Sequence, residues 1–258
     1  WRTYASELEF RHQDLFRRYA NPDEPENLLL TTTESRLART LPNEKYGSTF
    51  NTVDKVFAQK GIEGGGDYAK MNFIGTYIFT SGVLGVPSSR YLAKFDELST
   101  TESVGSKPRG MYVTNVLFTT DEVLLNRMEA HAMLKNYSKS IDDLLQYTQG
   151  KFGFMPSLDR DVYTTTNRSN YETYTPFYGM TLKQLALVKT IVGFRQQEFY
   201  QEGLRWFDIR RFHIAVKRSS KSNYYFPLEK NDPRKLLQIP AEAINRGLEA
   251  NPRERNEA

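Results

Sequence analysis

Cysteine is missing from all 258 residues, so neither disulfides nor thiolate-bound metals hold this chain together, and its redox compartment is left open. Histidine is nearly missing as well. His12, His131 and His213 stand far apart and none falls in an HExxH-type spacing, so no metal or other cofactor is expected. No apolar run approaches the roughly 20 residues that a membrane span needs. The chain opens at Trp1 with neither a methionine, a basic n-region nor an apolar h-region, the pattern expected of a mature chain or a fragment. Catalytic signatures are absent too: there is no GxSxG, no Ser/His/Asp order and no cysteine nucleophile, so no enzyme is expected. GIEGGGDY, residues 61–68, lacks the GK[ST] ending of a phosphate loop and reads as a flexible turn. The acid pairs Asp142/Asp143 and Asp159/Asp161 do not continue into a calcium loop and read as solvated carboxylates.

What the chain has in abundance is aromatic side chains: 16 Tyr, 16 Phe and 2 Trp, or 13%, a density that suits surfaces binding by stacking and hydroxyl hydrogen bonds. Hydrophobic residues make up 39%, enough for the core of one large domain or two small ones. The net charge of +4 is a small excess of 35 basic over 31 acidic residues, spread along the chain, so nucleic acid is not an expected partner. The one basic concentration, HIAVKRSSKS around Lys217 to Lys221, reads as a solvated loop.

Hydrophobic spacing divides the chain. Tyr4, Leu8, Leu15 and Tyr19 recur at near-helical intervals before NPDEPEN, which predicts an amphipathic helix over 2–20 in a first segment, 1–30. From Thr31 to Val113 periodicity fails and turn residues recur, predicting a loop-rich region over 31–115. TTDE then opens a helix, with Thr119 and Glu122 as a capping box. Val123, Arg127, Ala130 and Leu134 share one face of it and Leu124, Met128 and His131 the next, so it should be packed on two sides. After a two-residue turn at Lys135 and Asn136, Tyr137 starts a second, shorter helix, giving an antiparallel helical hairpin within 116–150. Residues 151–180 read as loop, and 181–258 as one long helix from Thr181 to about Phe212 plus a Pro-interrupted tail whose last ten residues read as solvated and partly disordered. On that long helix Val192, Phe199, Gly203 and Trp206 cluster on one face, with Arg195, Glu198, Glu202 and Arg205 as an ion-pair stripe beside them. A glycine inside an apolar helical face costs about 1 kcal/mol against alanine, which points to close approach of another helix at Gly203.

Three pieces carry a resemblance. RQQEFYQEGLRWFDIRRF, residues 195–212, resembles the signature of the SusD/RagB family, seen as ERRREF, EG, RW and D[LI]RR. DEVLLNRMEAHAML, residues 121–134, resembles that family's DEVLLxRAEAYA helix, and LLQIPAEAINRG, residues 236–247, its LPIPxxEI segment. Gly193 and Phe194 depart from Glu and Arg there, and Met128 and His131 from Ala and Tyr. The resemblance implies a mainly α fold: a tetratricopeptide-like helical scaffold with a long, irregular, loop-rich ligand region. EAHAMLKNYSKSIDDLL would be one helix pair, with Tyr137 at its aromatic position and Ser140 at its small one. It implies a nutrient-binding lipoprotein of the outer membrane, at the cell surface, sitting as a lid on a TonB-dependent SusC-like barrel transporter and capturing oligosaccharides or peptides. On this reading the chain is roughly the C-terminal half, and its only membrane attachment is a lipid anchor on an N-terminal part.

A sugar ring needs a flat aromatic against its apolar face and polar groups for its hydroxyls. The candidates are the aromatics of the irregular segments: Tyr46, Tyr68, Phe73, Tyr77 and Tyr112 in the first, Tyr163, Tyr171 and Tyr174 in the second. Tyr68 ranks first, because Asp67 and a glycine run flank it. The resemblance fixes none of them, and protein docking by a helical-repeat scaffold without a small ligand stands as the alternative.

Overall fold

A computed structural model describes residues 19–35, 76–78, 90–92, 94–95, 98–100, 110–152, 179–219 and 225–252. Among these, helix outweighs strand, so the chain is mainly helical, but three small antiparallel sheets accompany the helices. The helix expected over 2–20 lies outside the described residues except for its end at Tyr19 and Ala20, where Tyr19 is fully buried.

The body is built on α1 (Thr120–Met133), α2 (Tyr137–Phe152), α3 (Leu182–Glu198) and α4 (Arg205–Arg211). Each start has a chemical cause. Thr119 caps α1 by accepting from the Glu122 amide at 3.1 Å. At α3 the box is reciprocal: Thr181 Oγ1 accepts from Gln184 N, and Gln184 Oε1 accepts from Thr181 N. Helix α1 ends in a Schellman motif, with Lys135 left-handed at φ 63°, the Asn136 amide donating to His131 O and the Lys135 amide to Ala132 O. That turn sends α2 back along α1, and α2 is the longer of the two, 16 residues against 14. Ser140, fully buried, donates to Met128 O at 2.8 Å, so a small side chain sits where the two helices meet.

Helix α1 is packed against both α2 and α3, but of the two faces expected to be covered only that of Leu124 and Met128 is buried. Leu124, Leu125, Met128 and Ala132 are buried, whereas Val123, Arg127, Ala130 and Leu134 point to solvent. Leu187, Val188, Ile191 and Val192 of α3 complete the main core with Leu144 of α2 and Phe212 and Ile214 beyond α4.

The long helix expected from Thr181 to Phe212 is two helices. It breaks between Glu198 and Arg205, where Gln201 (φ 68°) and Gly203 (φ 85°) are left-handed. Gly203 is exposed, and nothing lies within 4 Å of where its Cβ would stand, so it serves the turn's backbone and not a close helix approach. Helix α4 ends in a second Schellman motif: His213 is left-handed, and the Ile214 amide donates to Ile209 O while both isoleucines join the core.

Strands replace loop at both ends of the region expected to be irregular. β1 (Asn27–Glu34), β2 (Thr76–Ile78), β3 (Arg90–Leu92), β4 (Leu98–Thr100) and β5 (Gly110–Thr119) form a sheet of order β1-β5-β4 and a separate β2-β3 pair. The boundaries expected at 30/31 and 115/116 therefore cut through β1 and β5. Val113, Val116 and Thr119 are buried at every third position, which hides β5 from a period-two reading, and the ladder to β1 is irregular beside Leu29. Tyr19, Phe95, Val113 and Val116 make a second, smaller core there.

Lys217, expected in a solvated loop, lies in β6 (Val216–Ser219), which pairs with β7 (Tyr225–Leu228). Beyond a 3-10 turn at Pro233–Lys235 and a short α5 (Ala241–Ile244), the tail doubles back, and Gln238 Oε1 accepts from the Asn251 amide at 2.9 Å. Asn251, among the last ten residues, is thus fastened.

Candidate ligand-binding face

Two of the candidate aromatics fall on described residues. Tyr77 sits on β2 opposite Tyr91 of β3, and Tyr112 on β5 between Glu34 of β1 and Leu98 of β4, in a different sheet. Tyr46, Tyr68, Phe73, Tyr163, Tyr171 and Tyr174 lie outside the described residues.

Tyr112 can be placed in detail. Its ring folds back over Gly110: a Cβ on that glycine would stand 2.6 Å from the ring's Cε2. Gly110 is therefore what lets the ring lie on its own strand. Antiparallel register puts Glu34, Thr32 and Thr114 on the same face, with Thr32 Oγ1 and Thr114 Oγ1 hydrogen-bonded at 2.9 Å. Tyr112 and Thr114 are half-buried; Thr32 and Glu34 are exposed. A half-buried ring bordered by two hydroxyls and a carboxylate offers one apolar plane plus donors and acceptors, the combination a sugar ring or a peptide backbone can use. Thr32, Thr114 and Glu34 were not among the sequence candidates. Their signal was TTTE set against YVTN, which carries meaning only once the two segments are known to pair.

The segment from Glu198 to Phe212 does something else. Asp208, 1% exposed, accepts through Oδ1 from Arg195 Nε at 3.4 Å and from Arg211 Nη2 at 2.7 Å. Arg195 also donates to Asn126 of α1 at 2.5 Å, and Arg211 grips the Glu129 carboxylate of α1, with Nη2 to Oε2 at 2.6 Å. Burial alone would lower the pKa of Arg211; the bonds to Glu129 and the charges of Glu129 and Asp208 outweigh it and hold the guanidinium above its ordinary range. These groups bond to one another, and their arrangement ties α1, α3 and α4 together.

The stripe expected from Arg195, Glu198, Glu202 and Arg205 does not lie on one helix, because α3 ends at Glu198, and three of its members reach residues outside the stripe, Arg195 through Asp208 and Asn126. Glu198 accepts from the Tyr147 hydroxyl of α2 at 2.8 Å, and Glu202 accepts from the buried Lys94 Nζ, which also donates to Glu198 O and stands over the Tyr19 ring. Lys94 thus joins the smaller core to the break between α3 and α4. Likewise Asp143, expected to be solvated, is buried and accepts from Arg127 Nε and Nη2 at 2.8 and 2.7 Å.

A further anchor holds the tail. Hydrogen bonds from Arg234 keep the Asp232 carboxyl well below the usual carboxylate range, at about 2. Lys235 is buried and donates to Ile214 O and Lys230 O; burial lowers its pKa, opposed by Asp232 and Glu229.

Among the described residues, no cluster of three or more histidines or carboxylates could hold a metal ion, and no helix is long and apolar enough to cross a membrane. No protein-family model, curated protein or solved structure matches the chain.

Proposed function

We propose that this chain belongs to a SusD-like nutrient-binding protein of the outer-membrane surface, a binder and not an enzyme. It captures oligosaccharides and passes them to a TonB-dependent barrel transporter. The observation that carries the reading is the ordered run of three motif pieces, DEVLLNRMEAHAML, RQQEFYQEGLRWFDIRRF and LLQIPAEAINRG. Their polar members are coupled in space, since Arg195 and Arg211 of the second piece, both bound to its Asp208, donate to Asn126 and Glu129 of the first. In this reading α1 and α2 are one tetratricopeptide-like pair, with Ser140 as its small contact residue. The face of Tyr112, Thr32, Thr114 and Glu34 supplies one part of the ligand surface, and Tyr77 and the aromatics of 36–75 and 153–178 supply others.

Glycan-array and peptide-library binding on the intact protein tests this. Glycan binding that weakens by about 1 to 3 kcal/mol in Tyr112→Ala supports both the class and the face. Peptide binding in place of glycan binding moves the ligand to the family's peptide-capturing variant. Association with a barrel partner and no binding in either library would leave a docking scaffold and overturn the nutrient reading.

A further inference from the structure

Among the described residues, strand β1 keeps one long edge open. In the order β1-β5-β4 it pairs on a single side. The Ser35 amide donates to Met111 O at 3.0 Å, which fixes the phase of the ladder. The Thr33/Val113 and Thr31/Asn115 pairs exchange the inward bonds, so the amides and carbonyls of Leu30, Thr32 and Glu34 face away from β5. The 2.9 Å contact between the Thr32 and Thr114 hydroxyls fits this phase, because side chains stand closer across pairs that do not exchange backbone bonds.

Edges of this length are normally guarded by lysine, proline or a covering segment. NLLLTTTE has neither lysine nor proline, and it is exposed: Leu28 at 49% and Leu29 at 53%, with Phe118, the register partner of Leu29, at 39%. An apolar end and a row of unfilled backbone donors and acceptors together form the template for strand addition.

Charge selects what fits there. Asp23 and Glu34 are exposed and Glu24 half-exposed, so acids stand at both ends of the edge. Registers that lay the leucines of one copy against those of a second copy set each Glu34 beside Glu24 or Glu26 of the other chain, twice over by symmetry, which disfavours self-pairing. We propose that β1 docks an extended segment of a partner protein as an added antiparallel strand, a segment with β-branched residues in its middle and lysine or arginine at its ends. The proposal needs no ligand on the Tyr112 face, although it shares Thr32 and Glu34 with that face, so peptide binding is read with no glycan present.

The probe is a dye-labelled synthetic peptide, KKVTVTVTKK, titrated into the full chain by fluorescence anisotropy beside an acid-ended control, EEVTVTVTEE. The basic-ended peptide should bind at least ten-fold tighter, with a preference that shrinks as salt is raised. Amide hydrogen exchange should slow at Leu30, Thr32 and Glu34 on binding and stay unchanged at Thr31 and Thr33, whose bonds already exist. Thr32→Pro removes one outward amide and leaves the ladder to β5 in place, and Leu29→Lys adds the missing guard; each should weaken binding at least ten-fold in protein that melts cooperatively. Equal binding of the two peptides, or protection absent from the three outward amides, overturns the proposal. So does a dimer in sedimentation that Thr32→Pro disperses, because the second copy would then occupy the edge.

Discussion

The helical body and the β1-β5-β4 sheet solve opposite problems with the same kinds of residue. In the body, charged side chains turn inward and pair: Arg195 of α3 and Arg211 of α4 on Asp208, Arg211 also on Glu129 of α1, and Lys94 on Glu202. In the sheet, the polar side chains of Thr32, Thr33 and Glu34 turn outward, and leucines stand exposed beside them. The body's charges join its own elements to one another, whereas the hydroxyls and the Glu34 carboxylate of β1 face solvent.

The sharpest way to break that comparison is at Asp208. Its carboxylate is almost fully buried between two guanidiniums, so Asp208→Ala leaves Arg195, 8% exposed, with its charge uncompensated. Urea denaturation should register a loss of about 3 to 5 kcal/mol. Arg127→Ala removes a bidentate partner of Asp143, but the arginine is 53% exposed, and the expected loss is about 1 kcal/mol or less. If the two variants cost the same, the network around Asp208 is not what joins α1, α3 and α4.

Acid provides a second test, at the tail. Asp232 has a folded pKa depressed from 3.8 to about 2, so its contribution is fully present above the unfolded value and is lost as pH falls through the folded one. Stability should drop between about pH 4 and pH 2, and Asp232→Asn should flatten that drop. An unchanged acid limb would mean that Arg234 does not hold the carboxylate in solution.

How much of this could be read beforehand depended on whether the signal was local. Thr119 with Glu122 and Lys135–Asn136 marked the ends of α1 correctly, because caps and turns are written in consecutive residues. The pairing of β1 with β5 joins residues far apart in the chain, from Glu34 with Tyr112 to Asn27 with Thr119, and burial at every third position of β5 leaves no alternation that would have shown it as a strand. One face of α1 was misjudged for a related reason, although the Leu124 and Met128 face is buried as expected: Val123 and Leu134 are apolar but exposed, while Asp121 and Glu129 are acidic but buried. Periodicity identified a helix there without saying which side the rest of the chain would cover. Of the ligand candidates, Tyr77 and Tyr112 fall on strands, and the polar neighbours that give Tyr112 meaning became visible only through register.

Gly203 separates the local reading from the tertiary one more finely. In a continuous helix, Gly203→Ala should stabilise the protein by about 1 kcal/mol. In the structure Gly203 has φ 85°, a region that costs an L-residue roughly 1 to 2 kcal/mol, so the same substitution should destabilise by about 1 kcal/mol. Crowding does not blur the sign, since nothing lies within 4 Å of the new Cβ. The smallest effect is expected at Lys135, the left-handed residue that closes α1. Glycine is the preferred residue at that position of a Schellman motif, so Lys135→Gly should raise stability, by about 0.5 to 1 kcal/mol at most, because glycine's freedom in the unfolded chain offsets part of the relieved strain. Opposite signs for glycine and alanine at two turns of one helical body, read from thermal or urea midpoints, would establish that both turns are set by backbone conformation. Equal signs would return the Glu198 to Phe212 segment to a single unbroken helix and remove the turn that positions Glu202 for Lys94.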